Sequence, residues 1–141
     1  NTGCVRSDLP KGPITVGKIY EIMPFDNAIT TFKMQGKDLR EVVQTSANRL
    51  GVSKNLQFSG LVYTVNDKQV VSITHQGKPL EDKRWYTVAA PTYVYEGNEA
   101  IAFDKAREAF SQGKFIRDVL IDYVKQHPQI KAPTDQRMIR Q

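Results

Sequence analysis

The chain has 141 residues, 40% of them apolar, enough to bury one continuous core without covalent staples and too few to suggest a second domain. Twenty Lys and Arg against fifteen Asp and Glu leave a net charge of +5, a mild attractive field for anions. The basic residues are interleaved with acids and form no stripe or module for nucleic acid, so no nucleic-acid partner is expected. No run approaches the roughly 18 apolar residues of a membrane span. A lone cysteine, Cys4, and two separated histidines, His75 and His127, provide neither an internal disulfide nor the spacing of a metal site.

Residues 1–13, rich in Gly, Pro and Asp, read as a loop around Val5 and Leu9. Thr15 caps a short predicted helix, Gly17 to Ile22, which Pro24 ends. Ala28 to Gln35, dense in Ile, Thr and Phe, predicts a strand that stops at Gly36. Leu39, Val42, Val43, Ala47 and Leu50 then recur at helical spacing as far as Gly51, an amphipathic helix with one face toward a core. Phe58 to Val65 and Val70 to His75 flank a turn at 66–69 and predict a hairpin, with Leu56 to Leu61 as the lead-in to a central strand. After a turn from Gln76 to Pro79, Trp85 to Ala90 predicts a fourth strand broken by Pro91. Ile116, Val119, Leu120, Tyr123 and Val124 mark a terminal helix that ends before Pro128. Strands with interspersed helices and a hairpin favour an α+β fold over a βαβ repeat.

Three segments in order carry a family resemblance: Asn-Thr-Gly-Cys-Val-Arg at 1–6, Met-Pro-Phe-Asp-Asn at 23–27 and Leu-Gln-Phe-Ser-Gly-Leu at 56–61. They resemble the Asn-Gly-Gly-Gly-Ile-Arg, Pro-Phe-Gly-Asn and Leu-Gln-Val-Ser-Gly-Leu segments of the 5′-nucleotidase C-terminal domain. Gly-Pro-Ile-Thr at 12–15 falls where that family has Gly-x-Ile-Thr, and residues 91–101 align loosely with its Asn-Phe-Leu-x-x-Gly-Gly-Asp-Gly-Phe stretch. The resemblance implies a single α+β domain over 1–141, a mixed sheet with flanking helices in α/β/β/α layers. It further implies a nucleotide or nucleoside ligand and an upstream metallophosphatase domain. That domain would hold two divalent metal ions, such as zinc or manganese, while this chain carries no cofactor and is inactive alone. The chain opens at Asn1 and not at a methionine, so it is expected to be a fragment of a longer protein, which the resemblance implies is periplasmic or extracellular.

The resemblance also implies the site. Phe25 and Tyr93 stand where the family stacks two aromatic rings on the base, and a base presents a π-face whatever its identity. Arg6, a planar fork of donors, matches an arginine that contacts substrate, and Asn1 matches an amide at the junction with the catalytic domain. Asn27, able to donate and accept at once, stands where part of the family has an Asn, and it either reads a base edge or shapes the turn. Glu99 falls at an Asp that hydrogen-bonds ribose hydroxyls. The family's glycines are replaced at Thr2, Cys4, Asn98 and Ala100, and Ala100 is ill suited to positive φ. No His or acid in the first motif would form a thiolate at Cys4, so that side chain is expected to be a small buried thiol, and both histidines are expected at the surface. Two readings follow: the nucleoside-recognition part of a phosphohydrolase, or a non-catalytic binding or scaffold module with a degenerate site.

Overall fold

The structure, a computed structural model, describes residues 2–51 and 55–141. After a short 3-10 turn, Thr2–Cys4, helix α1 (Val16–Ile22) begins at Thr15, whose hydroxyl accepts from the Lys18 amide at 3.1 Å. Strand β1 (Ala28–Gln35) runs without a loop into helix α2 (Gly36–Ala47). The hairpin follows as β2 (Leu61–Asn66) and β3 (Gln69–His75), then β4 (Lys78–Pro79) and β5 (Trp85–Pro91). One helical turn, α3 (Thr92–Tyr95), precedes β6 (Arg107–Phe115), helix α4 (Ile116–Gln126) and β7 (Met138–Arg140).

The strands form two sheets, β5-β1-β6 and β4-β3-β2-β7, giving the α+β architecture expected from the sequence. Alternation in β1 turns Thr30, Phe32 and Met34 inward, where Phe32 packs edge-on against Phe103 and at 4.9 Å from the Tyr95 ring. The apolar stripe of α2, with Leu39, Val42, Val43 and Ala47, joins Tyr63, Val65 and Ile73 of the second sheet in one buried cluster. Burial on that scale is the dominant stabilising term for a domain of this size.

Helix α2 also organises its surroundings through polar groups. Its leading amides, on Gly36 and Lys37, donate to the carbonyls of Arg84 and Asp82 at 3.0 and 3.1 Å, satisfying donors that a helix start leaves open. The Gln44 side chain accepts from the Val70 amide and donates to the Lys68 carbonyl, both at 2.9 Å, clamping the β2–β3 turn. That turn places Asp67 and Lys68 at positive φ, as a two-residue type I′ hairpin loop requires.

Two sequence expectations are corrected here. The second strand starts at Leu61 and not at Phe58, because the Leu56 amide donates to Ser46 Oγ at 2.8 Å and Gly60, at φ +82°, breaks the extended path. His75 is half-buried and not surface-exposed: its Nδ1 lies 2.8 Å from the Gly60 carbonyl and its ring stands edge-on to Tyr86. His127 is exposed, as expected, and stacks on Tyr123 at 4.0 Å.

Gly36 sits where the start of α2 meets the 80–84 loop, and a Cβ there would overlap the Glu81 carbonyl. Gly36→Ala is therefore expected to lower stability by about 1–3 kcal/mol, because backbone and not a pliable side chain must move. Urea unfolding checks this, with a lower midpoint at unchanged m-value expected.

Candidate functional site

The register of β1 against β5 fixes where the predicted site residues stand. Ile29 pairs with Pro91 and Gln35 with Trp85, so the turn preceding β1 and the helical turn following β5 share one end of the sheet. Phe25 lies on the first of these and Tyr93 on the second. A hydroxyl ties the two together: Thr92 Oγ1 lies 3.0 Å from Thr30 Oγ1 and 3.1 Å from the Ala28 carbonyl. Both rings remain substantially exposed, Phe25 at 43% and Tyr93 at 39%, although rings of this size are usually withdrawn from water.

Arg6 joins Phe25. Its amide donates to the Ile22 carbonyl at the end of α1 (2.9 Å), and its guanidinium lies 5.7 Å from the Phe25 ring centroid, within cation–π range. The same guanidinium donates to the Gly3 carbonyl at 3.3 Å, which leaves most of its donors facing solvent. The arrangement can therefore offer a stacking surface beside a planar cation, a combination suited to an aromatic ligand that carries negative charge.

The turn from Met23 to Asn27 is held at several points. The Asn27 carbonyl accepts from the Ile116 amide at 2.9 Å, and Asn27 Nδ2 lies 3.8 Å from Cys4 Sγ. Asp26 accepts from Arg117 at 2.5 Å, and the Arg117 guanidinium stacks over Tyr20 at 4.1 Å from the ring centroid. The Asp26 hydrogen bond holds the Arg117 pKa further above its already high value, so the guanidinium is cationic at any ordinary pH. Cys4 is buried, as expected of a small thiol.

Glu99 lies inside the fold. Only 4% of its surface is exposed, and its carbonyl, with that of Ala100, accepts from Arg49. Asn98 donates its side-chain amide to the Tyr93 carbonyl at 3.0 Å, so the loop is closed onto α3. Asn1 lies outside the described residues. Sequence reasoning missed the supports of the turn, Tyr20, Asp26 and Arg117: Arg117 lies 91 positions from Asp26 and further still from Tyr20, which leaves no local signal.

Among the described residues, no group of three or more His, Cys, Asp or Glu is placed to hold a metal ion, and no helix is long and apolar enough to cross a membrane. The architecture is that of the solved 5′-nucleotidase precursor from Thermus thermophilus, which superposes with a TM-score of 0.89 at 25% identity over 99% of this chain and 30% of that one. The chain belongs to the 5′-nucleotidase C-terminal domain family, whose sequence profile matches residues 1–106. Endonuclease YhcR of Bacillus subtilis (strain 168) is 41% identical over 97 residues, 67% of this chain and 8% of that protein. The NAD 5′-nucleotidase of Haemophilus influenzae is 25% identical over 158 aligned positions, 95% of this chain and 26% of the relative. This chain thus spans about a quarter or less of the length of these curated relatives.

In the rewritten glycine loop Gly97 lies at φ +84° and Ala100 at φ +49°. An alanine in the left-handed region costs about 1–2 kcal/mol, part of which is offset because glycine loses more freedom on folding. Ala100→Gly is expected to raise stability by roughly 0.5–1 kcal/mol, read as a higher thermal midpoint.

Proposed function

We propose that this domain recognises the nucleoside part of a nucleotide, stacking the base between Phe25 and Tyr93 with Arg6 directed at ribose or phosphate. The observation that carries this reading is the pair of exposed rings at one end of the β1–β5 pairing, in a chain of the 5′-nucleotidase C-terminal domain family. Asn27, half-buried beside Cys4, would meet the base edge with its amide carbonyl. Glu99, buried in the 96–100 loop, would meet the ribose hydroxyls on opening of that loop, with Arg6 as the exposed donor beside it.

The chemistry belongs to another part of the protein. An upstream metallophosphatase domain with two divalent ions would activate the water that attacks phosphorus, and this domain would deliver the nucleotide to it. The full protein would then release phosphate from nucleoside monophosphates or related nucleotides outside the cytoplasm. Kinship with a protein named an endonuclease supports the same ligand class, because cutting nucleic acid yields nucleotides.

Calorimetry with adenosine and AMP tests the clamp. Phe25→Ala and Tyr93→Ala are each expected to weaken binding by about 1–3 kcal/mol, the contribution of one stacking partner. Unchanged affinity in both variants would favour the scaffold reading. The isolated chain, supplied with AMP and a divalent metal, is expected to release no phosphate. Turnover would contradict the division of labour.

A further inference from the structure

The Asp26–Arg117 ion pair has no counterpart among the motifs that identify the family, yet it grips the turn that presents Phe25. Arg117 lies in the first turn of α4, and only 9% of its side chain is exposed. One face of its guanidinium covers Tyr20 of α1, and one of its nitrogens holds Asp26 at 2.5 Å. Its Nε meets no hydrogen-bond partner among the described residues, so Asp26 is the carboxylate that compensates this buried cation. Asp26 itself is two-thirds exposed. Coupling is therefore unequal: the arginine is fixed by the packing of α1 on α4, and the carboxylate is drawn to it.

The consequence falls on Phe25. Between the end of α1 and the start of β1 the chain has no regular structure, and its other tethers among the described residues include the Met23 amide on the Ile19 carbonyl, the Asn27 carbonyl, a weak sulfur contact from Asn27 and the Arg6 guanidinium over the ring. Among the described residues the ion pair is the charged side-chain anchor of the turn, adjacent to Phe25 in sequence. The geometry points to Arg117 as a positioning residue: through Asp26 and Tyr20 it holds the 23–27 turn so that the Phe25 ring is preset at the solvent-facing end of β1. A stacking partner held in place before the ligand arrives loses less freedom on binding, and affinity rises accordingly.

This inference rests on the base-stacking reading, and the experiment separates the two. Adenosine affinity is measured by calorimetry for the chain and for Asp26→Asn, Phe25→Ala and the double variant, with the thermal midpoint recorded for each. Asp26→Asn is expected to weaken binding about three- to ten-fold on its own, an entropic cost of ordering one aromatic segment. In the Phe25→Ala background the same change is expected to have no further effect, because no ring is left to position.

An equal loss in both backgrounds would overturn the positioning role and leave Arg117 a structural residue, and so would no loss in either. If adenosine binds and Phe25→Ala leaves its affinity unchanged, the stacking reading fails and this inference with it; absence of binding does the same. Should Asp26→Asn melt below the assay temperature, Arg117→Met replaces it. That change leaves Asp26 in water and fills the space against Tyr20, and the same loss confined to the Phe25-containing background is required.

Discussion

The antiparallel pairing of β1 with β5 is the constraint on which the molecule depends. Seven consecutive residue pairs, from Ile29 with Pro91 to Gln35 with Trp85, fix two segments that lie about sixty positions apart in sequence. A slip of one residue would turn Phe32 and Met34 out of the core and rotate every inward side chain of the strand to the other face. Because the buried faces of both strands forbid that slip, the ends of the strands are fixed as well. Phe25 and Tyr93 stand at one end as a result, and α2 begins at the other.

The two ends are built by different means. At the α2 end the helix start meets the 80–84 loop through backbone hydrogen bonds and through Arg40, which donates to the Leu80 carbonyl and to Asp82. Close approach there explains why the helix starts with glycine. At the other end the chain is more open, and side chains do the holding: Arg117, Tyr20, Thr92 and Asn98 brace the loops that carry the exposed rings. Rigid packing at one end and braced, solvent-facing loops at the other fit the proposed recognition role, since binding residues need a scaffold that does not move and segments that meet the ligand.

Much of this could be read from the sequence. The boundaries of β1, the cap at Thr15 and the helix from Ile116 to Gln126 emerged because hydrophobic periodicity and turn residues agree there. Strand β6 did not emerge: every residue of it is exposed, so it lacks the alternation that one buried face imposes, and Glu108 and Gly113 at positive φ interrupt it. Its pairing is dictated by β1, a long-range partner invisible to a local window. The three-residue β7 is too short to carry a pattern. For the proposed site, motif resemblance suggests the aromatic positions, whereas the burial of Glu99 and the grip of Arg117 on Asp26 depend on tertiary placement. Cys4 and Ala100 mark another limit: substitution of a glycine announces a steric problem, but only the fold reveals that the thiol turns inward and that Ala100 keeps the left-handed backbone.

The most direct test of the central claim is where a bound base sits. Intermolecular NMR contacts between the H2 and H8 protons of adenosine and the ring protons of the labelled protein would locate it. Contacts to both Phe25 and Tyr93 are predicted, with the base between the rings. Contacts to neither ring, with adenosine bound elsewhere on the domain, would contradict it.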